Sequence, residues 1–246
     1  MSGELGLLAA LVFAGFLVEA AAGFGGMVVA LTVGALFMPM GSLLGVLVPV
    51  NLALSTYLLV RGLPHVAWGF LLKRLVPLMA VGLLVGMLLA RSTSTGWLKP
   101  VFAGFVVVVA AQQLVQLRAG TAPARLSPWV AGAWLFGGGL IHGVFATGGP
   151  PTVYVASREL PEKAVFRASL SAVWVLLNLL LLPRLWVERS LSPQTSALLL
   201  VPLVVGIVAG EWIHHRLDER KFRVAVAVLL LAAGMTLLVS SARELA

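Results

Sequence analysis

Few side chains in this sequence can do chemistry, and most of those sit inside apolar runs. Glu19 and His142 are titratable, Thr147 offers a hydroxyl, and Asn51 and Asn178 offer amides. An ionisable group in hydrocarbon is costly, so Glu19 and His142 are candidates for proton coupling. Two helix-breaking cassettes follow them: Gly23-Phe24-Gly25-Gly26 and Thr147-Gly148-Gly149-Pro150-Pro151. Glycine lets backbone N–H groups approach a ligand closely, and the N-terminal end of a half-helix carries partial positive charge. Pro150 and Pro151 suit the first turn of a returning helix from Thr152, because their missing N–H groups would be unpaired there. Gly26 likewise opens a helix over Met27–Met38. Two such N-termini at one midplane cavity would suit a small anion.

The candidate binding residues are therefore Phe24, Gly25, Gly26, Asn51, Phe145, Thr147, Gly148, Gly149, Pro150 and Asn178. Thr147 and the two asparagines would act as donors, and Phe24, Phe145 and Trp174 would shape or gate the cavity. A plainer reading stands beside each. Glycine pairs serve helix packing, asparagines glue helices together, and a buried histidine can be a hydrogen-bonded core residue. For Gly82–Gly86 and Gly206–Gly210, spaced as GxxxG, packing is the better reading.

Other chemistry is excluded. The 246 residues contain no cysteine, so disulfides, thiol chemistry and thiolate metal sites drop out. No HExxH or GxSxG motif occurs and no aspartate lies within an apolar segment, so an enzyme is not expected, nor a cofactor or metal. Hydrophobic residues make up 60% of the chain and charged ones 11%, with mean hydropathy +1.04. That is the composition of a polytopic all-α membrane protein. The net charge of +8 comes from short Lys/Arg groups between apolar runs, which points to lipid topology and not to nucleic acid. Met1-Ser2-Gly3-Glu4 lacks the basic start of a signal peptide, so the first apolar run reads as part of the fold.

Eight segments must position these residues: Leu5–Met38, Leu43–Val60, Leu71–Ala90, Leu98–Leu117, Trp129–Ser157, Ala164–Trp186, Ala197–Ile213 and Phe222–Val239. The first and fifth hold the cassettes. Residues 1–118 and 129–246 read as two repeats joined by a linker at 119–128. "LVPLMAVGLLVG" from Leu75 reappears as "LVPLVVGIVAG" from Leu200, and Gly25-Gly26 aligns with Gly148-Gly149, which sets Glu19 on His142. If all eight segments crossed, the 17 Lys and Arg would divide nine to eight. If the first and fifth dip in and return, twelve fall on one side (Arg61, Lys73, Arg74, Arg118, Arg125, Arg158, Lys163, Arg167, Arg216, Arg220, Lys221, Arg223). Only five (Arg91, Lys99, Arg184, Arg189, Arg243) remain on the other. The positive-inside rule favours the re-entrant arrangement, with three crossings per half and inverted repeats.

"AAAGFGGMVVAL" from Ala20 and "GGGLIHGVFATGGPPTVYVA" from Gly137, with the glycine-spaced third and seventh segments, resemble the TauE/SafE sulfite-exporter family, also called the toluene-sulfonate uptake permeases. The resemblance covers nearly the whole chain. It implies a multi-pass carrier in a bacterial or archaeal cytoplasmic membrane, monomer or homodimer, for anions such as sulfite, sulfoacetate and other organosulfonates. An anion channel, or a carrier of another small organic anion such as a carboxylate, is the alternative. The halves differ, with Phe24-Gly25-Gly26-Met27 against Thr147-Gly148-Gly149-Pro150, so the half-sites need not contribute equally.

Overall fold

The computed structural model describes residues 2–22, 24–92, 95–119, 126–160, 162–214 and 219–245. Gly23 of the first cassette, linker residues 120–125 with Arg125, and Arg216 lie outside them. An apolar chain in lipid must satisfy its backbone internally, and helices do this within one segment. The order is α1 (Ser2–Ala22), α2 (Gly26–Gly34), α3 (Met40–Gly62), a 3-10 turn (Leu63–His65) and α4 (Trp68–Phe70). α4 runs through a π turn (Leu71–Leu75) into α5 (Val76–Ser92), and α6 (Thr95–Ala119) follows. The second half holds α7 (Pro128–Phe145), α8 (Gly149–Glu159), α9 (Lys163–Val187), α10 (Pro193–Leu198), α11 (Leu200–His214) and α12 (Glu219–Leu245). The described residues contain no strand.

Among the described residues seven helical stretches are long and apolar enough to cross a membrane, from Gly3–Ala21 to Val224–Arg243. The chain is a multi-pass membrane protein. Both cassettes break their segments, but into unequal arms. α1 is itself long enough to span, whereas α2 has 9 residues and α8 has 11. The short arms rise only about 14 and 16 Å, half the thickness of a hydrocarbon core of about 30 Å. α2 stops at Gly34, short of Met38, because a residue before proline (here Met38 before Pro39) disfavours helix. The seventh segment starts earlier than its hydropathy suggests, at Pro193, and breaks at Leu199. Pro202 there cannot donate to the Leu198 carbonyl.

The chain forms two compact units, one of Met1–Leu47, Thr93–Ala122 and Ser192–Ala246, the other of Val48–Ser92 and Pro123–Leu191. Each draws helices from both halves of the sequence. In the first unit α1 packs on α2 and α11, and α6 on α12; in the second, α7 packs on α5 and α8. The main contact is built the same way in both. A Cβ added to Gly206 would lie 2.9 Å from the Phe13 carbonyl oxygen, and one on Gly210 would lie 2.6 Å from that of Leu17. In the second unit, Gly82 and Gly86 press still closer on the carbonyls of Phe136 and Leu140, 123 residues after Phe13 and Leu17. Gly139 and Gly143 of α7 meet α5 at Met79 and Leu83, so this interface has glycine on both sides. The GxxxG glycines are packing glycines, as their spacing suggests.

Lipid explains the outer surface. The exposed face of α11 is Leu200, Val201, Val204, Val205, Val208 and Trp212, a stripe that water would not tolerate on a monomer. Trp68, Trp97, Trp129, Trp186 and Trp212 are all exposed and lie near helix ends, as interfacial aromatic residues do.

Candidate functional site

The second break begins at Ala146, which ends α7 in the left-handed conformation (φ 54°) and donates its N–H to the His142 carbonyl at 2.8 Å. Glycine usually takes that position, because an L side chain there costs about 1–2 kcal/mol. The cassette glycines do something else. Gly148 (φ −66°) caps α8, and a Cβ on it would strike the Gly138 carbonyl and lie 2.9 Å from His142 Cβ. It is a close-packing glycine that seats α8 on α7. Gly149, the first residue of α8, would carry a Cβ into open space. Pro150 and Pro151 follow in the first turn, half-buried and buried, as their missing N–H groups predict. Thr152 donates to the Gly148 carbonyl at 2.7 Å. Thr147, between the two helices, is 2% exposed and its hydroxyl has no hydrogen-bond partner. Phe145, two residues before it in sequence, is buried.

The two asparagines and the histidine form one chain across this unit. Asn178 on α9 donates its Nδ2 to Asn51 Oδ1 on α3 at 2.7 Å, and its Oδ1 lies 3.2 Å from His142 Nε2 on α7. Trp174, one turn before Asn178, stacks on the imidazole at 5.7 Å between ring centres and 9° between planes. All three polar residues are buried. Asn178 thus uses its Oδ1 and one Nδ2 hydrogen inside the protein, the geometry of helix glue.

The first break lies in the other unit. Here a glycine does supply the left-handed turn: Gly25 (φ 95°) caps α2 and its carbonyl accepts from Val29 N–H at 3.0 Å. Phe24 is half-buried in the bend. Gly26 is the packing glycine, since an added Cβ would strike the Gly15 carbonyl and lie 2.7 Å from Glu19 Cβ and 2.8 Å from Glu19 Oε2. Gly15 and Glu19 stand 123 residues before Gly138 and His142, but Gly26 stands 122 before Gly148. Gly26 is therefore the structural counterpart of Gly148, one residue off the sequence alignment, because the first break carries one extra residue. The consequence is electrostatic. Glu19, 3% exposed, sets a carboxyl oxygen beside the first residue of α2, where its partial positive charge favours an acceptor. His142 holds the matching place beside α8.

The comparisons with known proteins bear on what these breaks belong to. A family model described as sulfite exporter TauE/SafE matches residues 7–237. The chain belongs to the TauE/SafE family. A probable inner membrane transporter protein TsaS of Comamonas testosteroni is 30% identical over 171 residues, 66% of this chain and 69% of that protein. No solved structure matches. Family and helices together make this a multi-pass transporter of the cytoplasmic membrane.

This TauE/SafE chain also holds a buried polar residue that hydropathy hides. Arg184 reads as a topology charge after Pro183, yet it is 7% exposed. Its Nη1 donates to the Gly143 carbonyl at 2.5 Å and its Nε to Glu188 at 2.8 Å. Gly143 carries one of the last carbonyls of α7, which a helix leaves without internal partners, so a cation caps it well. Ser55, one turn after Asn51, is a second such residue, buried with its hydroxyl unpartnered. Neither had a sequence signal. By contrast Arg158 stays on its own helix, its Nη1 on the Tyr154 carbonyl at 2.5 Å and its guanidinium 3.7 Å from that ring's centre.

Proposed function

We propose that this chain is a secondary carrier of small sulfur-containing anions, such as sulfite, sulfoacetate or other organosulfonates, working by alternating access. It holds one anion at the start of α8. The observation that carries this reading is Thr147: a buried hydroxyl without a partner, directly before a helix N-terminus whose first residue, Gly149, opens to empty space. Leaving such a group unpaired costs about 1–3 kcal/mol, which an incoming acceptor would recover. The partial charge of α8 adds attraction for an anion without a buried lysine. α2 is already furnished with the Glu19 carboxyl, so its N-terminus is closed to a second anion. Inverted repeats of residues 1–118 and 129–246 are part of this proposal. The matched α1–α11 and α7–α5 contacts and the twelve-to-five charge division support them.

The test is counterflow in liposomes. Purified protein loaded with unlabelled sulfite should draw in labelled sulfite, and external methanesulfonate or sulfoacetate should compete while acetate should not. Flux without counterflow would indicate a channel. Preference for carboxylates would overturn the sulfur-anion assignment.

A further inference from the structure

The amide of Asn178 fixes which nitrogen of His142 carries hydrogen. Its Nδ2 donates to Asn51, so its Oδ1 is the atom that faces the ring, 3.2 Å from Nε2. An amide oxygen can only accept, so Nε2 is the donor. In a neutral imidazole Nδ1 is then a bare acceptor. That Nδ1 is buried and has no partner. Sulfonates and sulfite also present acceptor oxygens. An acceptor facing an acceptor gains nothing until a proton stands between them.

We propose that His142 takes up one proton with each anion bound at the start of α8, so that anion and proton travel together. The proton binds Nδ1, the ring becomes an imidazolium that donates through both nitrogens, and the bound pair is neutral overall. Neutrality matters in lipid, where an unpaired buried charge is expensive and a paired, hydrogen-bonded one far less so. The surroundings fit. Trp174 stacks on the ring within the distance at which an aromatic face stabilises a cation. α5 lines this stretch of α7 with Met79, Gly82, Leu83 and Gly86, and α3 brings Asn51, none of them charged. α9 brings Arg184, whose charge is taken by the Gly143 carbonyl and Glu188. Arg158 and Glu159 sit in the last turn of α8, and Arg61 in the last turn of α3.

The inference rests on the anion site proposed above, and its test separates the two. Anion is added to purified protein in weakly buffered detergent solution, with binding followed by calorimetry and protons by an indicator dye. Methanesulfonate brings no proton near neutral pH, whereas sulfite can arrive as hydrogensulfite, so the two probes tell a proton from water from one carried by the ligand. About one proton should disappear per methanesulfonate bound, as one imidazole requires. His142→Gln should take up none. Asn178→Asp places a carboxylate on Nε2 and holds the ring cationic beforehand, so it should bind the anion without proton uptake. If only sulfite binds, about one proton per ion should disappear at alkaline pH, where free sulfite is the dianion, and fewer as hydrogensulfite brings its own. Binding of methanesulfonate, or of sulfite at alkaline pH, with no proton uptake, or full uptake in His142→Gln, would overturn it while leaving the anion site intact. If neither anion binds, both fall.

Discussion

The two breaks share a scaffold and differ in what they leave open. Each has a glycine, Gly26 or Gly148, wedged against a carbonyl of the preceding helix, Gly15 or Gly138. Each has an ionisable residue whose Cβ lies against that wedge, Glu19 or His142. Beyond this they part. The first break turns on a glycine and carries its own carboxyl at the helix start. The second turns on a strained alanine, loses two backbone donors to Pro150 and Pro151, and leaves Thr147 and His142 each with an unpartnered buried atom. Two similarly built breaks thus differ in what they leave open, the first closing on its own carboxyl and the second leaving buried polar atoms unpartnered.

The largest effects should come from the shared scaffold. Gly148→Ala and Gly26→Ala each drive a methyl into backbone, which cannot give way as a side-chain tip can. Overpacking of this kind costs about 1–3 kcal/mol or more, so both variants should lose much of their folded yield and melt well below wild type. If one tolerates alanine and the other does not, the two glycines are not equivalents.

Asn178→Leu comes next, because it leaves His142 Nε2 without its partner and removes the hydrogen bond to Asn51 Oδ1. At about 1–3 kcal/mol for the orphaned imidazole nitrogen, the melting temperature should fall clearly, and every anion should weaken by a common factor. A change in relative preference among anions with no loss of stability would instead put the amide on the ligand.

Thr147→Val separates binding from folding. Removing a hydroxyl that has no partner should leave the ligand-free melting temperature unchanged or raised. The lost donor should weaken anion binding about 5- to 30-fold, equivalent to about 1–2 kcal/mol. Equal binding by the valine variant would remove Thr147 from the site.

The smallest effect is a mirror pair at the turns. Ala146→Gly relieves a left-handed alanine and should stabilise by up to about 1 kcal/mol, whereas Gly25→Ala imposes the same strain and should destabilise by about 1–2 kcal/mol. Thermal melts of the two variants measure it.

Much of this architecture was legible because glycine and proline act locally. The breaks, the prolines in the first turn of α8 and the GxxxG interfaces all follow from residue type and spacing. What escaped depends on neighbours distant in sequence. Nothing at Gly148 or Gly149 says which one meets a backbone and which one meets space. Alanine at 146 gives no turn signal, since its strain is imposed by the packing on either side. Arg184 follows an apolar run and a proline, so hydropathy reads a loop charge; its burial needs the end of α7, 41 residues away. The asparagine chain joins positions 127 residues apart. The one-residue offset between the two breaks is hidden because the glycine pairs match better at 123 residues than at the 122 that the packing of Gly26 and Gly148 requires.

The central claim, that the anion sits at the start of α8, is met most directly by Gly149→Val. A Cβ there touches nothing, so the variant should fold and melt like wild type, while its branched side chain fills the space in front of the helix. Titrating sulfite and methanesulfonate by calorimetry against this variant should show no binding where the wild type binds. Wild-type affinity in a well-folded Gly149→Val protein would contradict the account and place the anion elsewhere.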